Sequence, residues 1–364
     1  MTLEPALTPG PDTLPKHSTK KRQGALLLNL GTPDAPTTVA VRAYLKEFLM
    51  DPYVLDIAFP LRWLLVNGAI LPKRPAQSAA LYRKVWTDQG SPLLTHLQDL
   101  KAKVQNQFHK LNEGGWLIES AMRYGKPSIE TALRSFKAAG IDDVIVIPLY
   151  PQYSLAATES SVAKCTELFQ KIIPGGTLSF VPPFYSQSIF IDSFVEVFKK
   201  SLINFSYDHL LFSFHGLPER QVKKTTNNFC FSQDSCCSEI TEANQNCYRA
   251  QCYATAKLLA KGLGIPGDKY SVCFQSRLGR TPWIRPYTDE LYRELPKKGV
   301  RRLAVACPAF VADCLETLEE VQIRGREEFI QSGGEELKLI PSLNSSGSWV
   351  QAVADMLQAC SKAQ

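Results

Sequence analysis

Short runs of consecutive apolar residues recur along the chain and are separated by longer amphipathic stretches. Continuous apolar runs of this length are typical of strands that are buried on both faces of a parallel sheet. The predicted strands are residues 24–31, 116–122, 144–150 and 177–181, followed by 209–215, 270–276, 302–307 and 337–341. Amphipathic segments between them predict helices, for example 129–139, 188–201, 248–262 and 314–330.

Strands that alternate with helices indicate βαβ units and therefore parallel sheets covered on both faces. The strands fall into two sets of four, and Pro182–Pro183 marks a break between the sets. The fold class predicted is α/β, with two similar doubly wound parallel-sheet domains. The expected organisation is a disordered tail (1–22), an N-terminal domain (23–183), a C-terminal domain (184–342) with a cysteine-rich loop (227–252), and a last segment (343–364) whose helix packs back on one domain.

The apolar content and the net charge of the chain limit the kinds of ligand and partner that it can be expected to bind. The chain is 45% apolar and carries a net charge of +6 that is not gathered into long runs. This charge suits anionic ligands or an acidic membrane surface, and it does not indicate nucleic acid. Met1 is not followed by the apolar stretch of a secretory signal. Residues 54–71 are the most apolar stretch, and they are interrupted by polar residues, so they predict either a core segment or a lip that dips into a membrane interface.

His215 lies at the end of an apolar run that leads into a Gly-Leu-Pro loop. In parallel α/β sheets, ligands bind beyond the carboxyl ends of the strands. A histidine there suits proton transfer near neutral pH, whereas a hydrogen-bonded core histidine is the alternative. His209, at the other end of the same run, is expected to be structural.

A second candidate is the segment that follows the strand ending at Cys307. Asp313 is expected to cap a helix there. At about 100° per residue, Asp313, Glu316 and Glu320 share one helical face, where they either meet solvent or bind a cation. Glu319 is expected to point elsewhere, toward the surface.

Polar and aromatic residues at other strand ends suit a flat apolar ligand that bears carboxylates. They are Arg123, Tyr124, Tyr150, Gln152, Tyr153, Ser276 and Arg277.

Half of the ten cysteines lie within 23 residues of one another, in a polar loop. Without a secretion signal, so dense a group favours thiolate coordination of zinc or of an iron–sulfur centre over disulfides. An all-thiolate site needs four ligands, and five cysteines are available. They are Cys230, Cys236, Cys237, Cys247 and Cys252, and their pattern alone leaves open which four bind, although the neighbouring side chains of Cys236 and Cys237 tend to diverge.

Eight segments, in order, make the chain resemble the ferrochelatase family over residues 24–344. They are LLLNLGTPDAP, GSPL, MRYGKPSI, VIPLYPQYS, FSFHGLPER, FQSRLGRTPW, PYTDE and ADCLETLEE. The resemblance implies an active-site cleft between the two domains and insertion of ferrous iron into a porphyrin. It matches His215 and Glu316 to the catalytic pair, and Asp313 and Glu320 to the adjoining iron-binding acids. Porphyrin-binding positions are matched by Leu30, Ser91, Arg123, Tyr124, Tyr150, Tyr153, Ser276, Arg277 and Trp283.

The resemblance also bears on cofactor and substrate. Some ferrochelatases hold a 2Fe–2S cluster, which favours that cofactor here, with four-thiolate zinc as the runner-up. A cysteine at the position of Cys252 also resembles relatives that have no cluster, so the resemblance favours Cys230, Cys236, Cys237 and Cys247 as the ligands, with Cys252 as the alternate. Cys314 stands where some relatives carry histidine. Protoporphyrin IX is expected because the motifs resemble those of Gram-negative relatives. The alternatives are coproporphyrin III, another tetrapyrrole chelatase, or a non-catalytic haem or metal carrier. The protein is expected in the cytoplasm, with peripheral contact to the inner membrane, and the sequence gives no oligomeric state.

Overall fold

The computed structural model describes residues 22–111, 115–226, 230, 235–279 and 281–363. Most of the predicted tail and the residues around Cys230 lie outside this set. Eight strands form two sheets of four, and every pairing between strands is parallel.

The first half of the chain contains one sheet and the helices that cover it. Its strands lie in the order β2-β1-β3-β4. Its elements are β1 (Gln23–Thr32), α1 (Thr38–Leu49), α2 (Phe59–Leu64), α3 (Arg74–Val85), α4 (Pro92–Lys110), β2 (Trp116–Gly125), α5 (Ile129–Ala138), β3 (Asp143–Pro148), α6 (Ser160–Ile172) and β4 (Thr177–Phe180). Two π-helical segments extend α2 and precede α6, at Leu65–Ile70 and Leu155–Glu159.

The second half repeats the same arrangement, with strands in the order β6-β5-β7-β8. Its elements are α7 (Ser188–Leu202), β5 (His209–His215), α8 (Glu219–Lys224), α9 (Tyr248–Leu263), β6 (Tyr270–Gln275), α10 (Thr288–Glu294), β7 (Arg302–Ala306), α11 (Leu315–Thr317), α12 (Arg326–Gln331), β8 (Glu336–Leu339) and α13 (Gly347–Lys362). The eight predicted strands are therefore confirmed to within a few residues at each end.

Both faces of the central strand β1 are buried, which is why its sequence is continuously apolar. Ala25 and Leu27 contact one core cluster, whereas Leu26 and Leu28 contact another. The first of these clusters also contains Phe212 of β5, so a single apolar core is shared by the two sheets.

The last helix differs from its prediction, because α13 packs on both halves of the chain. Trp349 is fully buried, and its ring centroid lies 5.7 Å from that of Phe184 and 6.1 Å from that of Phe190. On the other side, Gln107 of α4 donates a hydrogen bond to Gln351. The helix thus closes the seam between the halves.

The helix predicted over residues 314–330 is interrupted. A single turn, α11, passes into a π-helical segment at Leu318–Gly325 and then into α12. Over so few residues, an apolar period cannot distinguish a π-helix from an α-helix, so the sequence did not reveal the change.

Candidate active site and cysteine site

His215 is the last residue of β5, at the point where the strand order of the second sheet changes direction between β5 and β7. This is the usual position of a ligand site in such sheets. Its Nδ1 lies 2.6 Å from the carbonyl oxygen of Gly216, which accepts a hydrogen bond and cannot donate one. Nδ1 therefore carries the proton in the neutral ring, and Nε2 is left as the proton acceptor.

Gln275 connects this strand end to the acidic segment. It is the register partner of His215 on β6, and its carbonyl accepts a hydrogen bond from Gly216 at 2.8 Å. Its buried side chain donates to the carbonyl of Glu316 at 2.8 Å and accepts from Ser213 at 2.7 Å. One side chain thus fixes the first turn of α11 relative to the end of β5. Sequence analysis missed this role, since a glutamine ending an apolar strand gives no distinctive signal.

Glu316 lies where the two halves of the chain meet. The preceding residue, Leu315, packs against Val41 and Tyr82 of the first half. Burial raises the pKa of the Tyr82 hydroxyl, and the Glu316 carboxylate raises it further. Tyr44 has its pKa raised by burial first, with Glu316 again contributing. Both phenols therefore stay protonated beside this carboxylate.

Asp313 does not belong to the helical stripe that its spacing predicted. Cys314, in extended conformation, is the capping residue, so Asp313 precedes the helix. Its buried carboxylate accepts hydrogen bonds from Thr317, from the backbone of Ser342 and from Asn344 at 2.8–3.2 Å. These bonds fix the loop before α11 and involve both oxygens of the Asp313 carboxylate.

Glu320 faces the end of β6. Its carboxylate accepts hydrogen bonds from the backbone N–H of Ser276 at 2.9 Å and from the Ser276 hydroxyl at 2.5 Å. Ser276 has a φ of +65°, a left-handed conformation that a non-glycine residue rarely adopts. The two predicted site residues, Ser276 and Glu320, are thus brought together.

Glu319 is not a surface residue, contrary to its prediction. Only 1% of its side chain is exposed, and it pairs with Lys84 of α3 at 3.2 Å and with Arg324 at 3.4 Å. Lys84 lies 235 residues earlier in the chain, so the burial of Glu319 arises from tertiary packing.

A buried network holds Arg123 at the end of β2. Its guanidinium pairs with Asp51 and donates to the Ser160 hydroxyl at 2.8 Å. The Tyr124 hydroxyl donates to the same carboxylate at 2.9 Å, and Tyr124 has no exposed surface. The charge of Arg123 is therefore largely matched within the protein, and Tyr124, predicted as a porphyrin contact, has no exposed surface to offer a ligand. The Asp-Pro pair at 51–52 indicates a turn but not this network.

The other predicted porphyrin-binding residues have diverse surroundings. Tyr150 lies against Ser161, Tyr153 donates to Glu159, and Ser91 accepts a hydrogen bond from Thr32. Gln152 is buried and donates to Thr255 of α9. Leu30 and Trp283 are half-buried, and Arg277 is exposed and paired with Asp289 at 2.7 Å.

The structure brings together the four cysteines predicted as ligands. The Sγ atoms of Cys230 and Cys247 are 3.2 Å apart, and those of Cys236 and Cys237 are 3.7 Å apart, so these neighbours do not diverge. The Sγ atoms of Cys230, Cys236 and Cys237 all lie within 4.8 Å of one another. All four cysteines are buried. The buried Cys252 thiol hydrogen-bonds with the Tyr248 hydroxyl.

The surroundings of the cysteine site favour a thiolate at Cys247, whereas the pKa values of Cys230 and Cys237 are raised. Arg249 donates to the Cys237 sulfur at 3.1 Å. Hydrogen bonds from the Cys230 and Cys237 thiols, and from backbone N–H groups of the first turn of α9, hold the pKa of Cys247 well below its usual range. Buried sulfur atoms, a cationic donor and a helix N-terminus suit the charge of a metal thiolate centre.

Residues 54–71 divide between core and surface. Val66 and Leu71 are buried in a small core cluster, whereas the helix before them exposes an apolar face. Phe59, Leu61, Trp63 and Leu64 are 52–62% exposed. The one cation of α2, Arg62, is buried and donates to the carbonyls at Leu55 and Ile57, so the outer face stays apolar. We call residues 59–65 the lip. In the described residues, no helix is long and apolar enough to cross a membrane.

Comparison with known proteins identifies the family. A family model described as Ferrochelatase matches residues 22–360. The ferrochelatase of Coxiella burnetii (strain Dugway 5J108-111) is 45% identical over 336 residues, which cover 92% of each chain. The ferrochelatase of Pseudomonas fluorescens (strain Pf0-1) is 46% identical over 336 residues, covering 92% of this chain and 96% of that protein.

Solved structures agree on the fold. SirB from Bacillus subtilis with Fe3+ superposes with a TM-score of 0.53 at 12% identity, covering 94% of this chain and 98% of that one. At such identity the likeness extends to the fold alone, which is the predicted pair of similar parallel-sheet domains. The match to the family model and the identity to named relatives go further, and on them the chain belongs to the ferrochelatase family.

Proposed function

We propose that this enzyme inserts ferrous iron into protoporphyrin IX to form protohaem, the last step of haem biosynthesis. The observation that best supports the proposal is that one side chain joins the strand end bearing a proton acceptor to the segment bearing a carboxylate. Nε2 of His215 is left as an acceptor, and Gln275 ties its strand end to Glu316. The choice of protoporphyrin IX rests on the resemblance to Gram-negative relatives.

Each residue has a defined task in this proposal. Metal insertion replaces two pyrrole N–H bonds by bonds to iron and releases two protons. His215 accepts protons through Nε2. Carboxylate oxygens bind ferrous iron less tightly than thiolates, so Glu316, with help from Glu320 and Asp313, holds the ion and releases it to the ring. Binding the macrocycle bent toward the transition state lowers the barrier further.

Turnover measurements without oxygen test this function. Haem formation is followed with ferrous iron and protoporphyrin IX, with cobalt as the alternative metal and coproporphyrin III as the alternative ring. The highest kcat/KM is expected with iron and protoporphyrin IX. Faster reaction with coproporphyrin III or cobalt would favour the other chelatases, and tight haem binding without turnover would favour a carrier.

The cysteine site is proposed to hold a 2Fe–2S cluster. Four thiolates are the usual ligand set, and the four sulfurs form two close pairs, which suits two irons. Cys230, Cys236, Cys237 and Cys247 would hold it, and the group would serve structure, because iron insertion changes no oxidation state. Zinc with the same four ligands is the alternative.

Loss of single cysteines should separate ligands from Cys252. Cys230→Ser and Cys247→Ser are expected to lose iron and sulfide and to lower the melting temperature. Cys252→Ser should keep both elements, because its thiol hydrogen-bonds with the Tyr248 hydroxyl. Protein purified without oxygen is assayed for iron, sulfide, zinc and visible absorption. Colourless protein that contains zinc would rule out the cluster.

The lip is proposed to contact the membrane surface, which would place this cytoplasmic enzyme peripherally on the inner membrane. An apolar face of this kind inserts into the headgroup boundary, and the exposed Lys73 and Arg74 follow it. We expect the wild type to sediment with anionic vesicles at low salt, and the doubly substituted Leu61→Asp, Leu64→Asp variant to remain in solution. Ile203→Asp, at a residue 75% exposed elsewhere on the surface, is the control. Equal sedimentation of both variants would contradict the proposal.

A further inference from the structure

Tyr248 connects the cysteine site to the candidate active site. It is buried at the first position of α9, and its hydroxyl donates a hydrogen bond to the backbone carbonyl of His215 at 2.8 Å. The Cys252 thiol, one turn later, hydrogen-bonds with the same hydroxyl. The bond from Tyr248 reaches the backbone carbonyl of His215. It therefore acts on the position of the residue and does not involve either nitrogen of the imidazole ring.

The position of Tyr248 is set by the cysteine site. The residue before it, Cys247, caps α9 and lies 3.2 Å from Cys230 between the two sulfur atoms. The residue after it, Arg249, donates to the Cys237 sulfur at 3.1 Å. Both sequence neighbours of Tyr248 are therefore attached to the cysteine site.

The same part of α9 also contacts the first half of the chain. Gln251 accepts a hydrogen bond from the backbone N–H of Tyr153 at 2.6 Å. Thr255, one turn later, accepts a hydrogen bond from Gln152 at 3.0 Å. The start of α9 is thus in contact with strand-end residues of both halves.

We propose that Tyr248 is a positioning residue through which the cysteine site supports turnover. A metal centre that fixes the start of α9 holds the Tyr248 hydroxyl against the His215 carbonyl. This contact keeps the histidine at the correct distance from the porphyrin. The inference rests on the function and cofactor proposed above. It explains how a site that touches no substrate contributes to the reaction.

The test compares Tyr248→Phe with Tyr253→Phe, which removes a hydroxyl from the same helix. Tyr248→Phe keeps the buried ring, so folding and the iron and sulfide content should match the wild type. Its kcat should fall about tenfold, because a small displacement of a catalytic group is costly, while the KM for porphyrin stays unchanged. Tyr253→Phe should keep the wild-type kcat.

A second arm strips the metal from the wild type and from both variants with a chelator. Stripping should lower the kcat of the wild type and of Tyr253→Phe by the same factor, and that of Tyr248→Phe much less, because its link to His215 is already broken. A stripped wild type that keeps its kcat would overturn the proposal, and this arm needs no substitution.

Three further outcomes would overturn it. One is a Tyr248→Phe variant with wild-type kcat. Another is a variant that loses its metal together with its activity, because Tyr248 would then act on the cysteine site. The last is a change in KM alone. Failure of the parent proposals looks different, since an active His215→Ala variant would remove the proton acceptor, and a wild type without iron and sulfide would remove the cluster.

Discussion

Replacing His215 with alanine is expected to lower kcat by about 100-fold or more, because the substitution removes the Nε2 acceptor for the pyrrole protons. The KM for porphyrin should change little. The His215 imidazole ring is half-buried, and its centroid lies 6.3 Å from that of the Phe310 ring. Initial rates of haem formation at saturating iron, with porphyrin binding measured separately by fluorescence quenching, give the two quantities.

His209→Ala is the matched control on the same strand. His209 is buried at the opposite end of β5, and its Nε2 lies 2.9 Å from the Ser271 hydroxyl. Its loss should lower the melting temperature and leave kcat close to the wild type. A near-normal rate for His215→Ala would remove this histidine from the mechanism.

Glu316→Gln is expected to have the next largest effect. An amide is a poorer ligand for ferrous iron than a carboxylate, and a loss of about 1.4 kcal/mol in binding the ion at the transition state already lowers the rate tenfold. The fold should be preserved, because Gln275 holds the backbone carbonyl of Glu316 and not its side chain. The measurement is the rate of haem formation as a function of iron concentration.

Glu319→Gln should lower the stability of the protein more than its activity. Its carboxylate is buried against Lys84 and Arg324, so neutralising it is expected to cost about 2 kcal/mol of unfolding free energy. Its kcat should fall much less than that of Glu316→Gln, and Glu320→Gln should mainly raise the apparent requirement for iron. Equal losses of kcat at Glu316 and Glu319 would show that the assignment of the acids is wrong.

Much of the fold could be predicted because buried parallel strands leave a strong local pattern. Continuous apolar runs located all eight strands, and the ends of β5 and β6 located His215 and Ser276. The grouping of the cysteines was also predictable, since their density in a polar loop is a local property of the sequence.

Other parts of the site depend on contacts between distant segments. The burial of Glu319 requires Lys84 from α3, and the matched charge of Arg123 requires Asp51 from the end of α1. Asp313 was assigned to a helical face by its spacing, yet its carboxylate bonds to Asn344 from the far end of the domain. No window of sequence contains both members of these pairs.

The seam closed by α13 has a consequence for how the enzyme moves. Because one apolar core is shared by the two sheets and Trp349 is fully buried within it, the halves cannot swing apart as independent bodies without exposing that core. The distance between the two sheets is therefore held nearly constant. We expect entry of the porphyrin and departure of haem to depend on local rearrangement of segments outside this shared core.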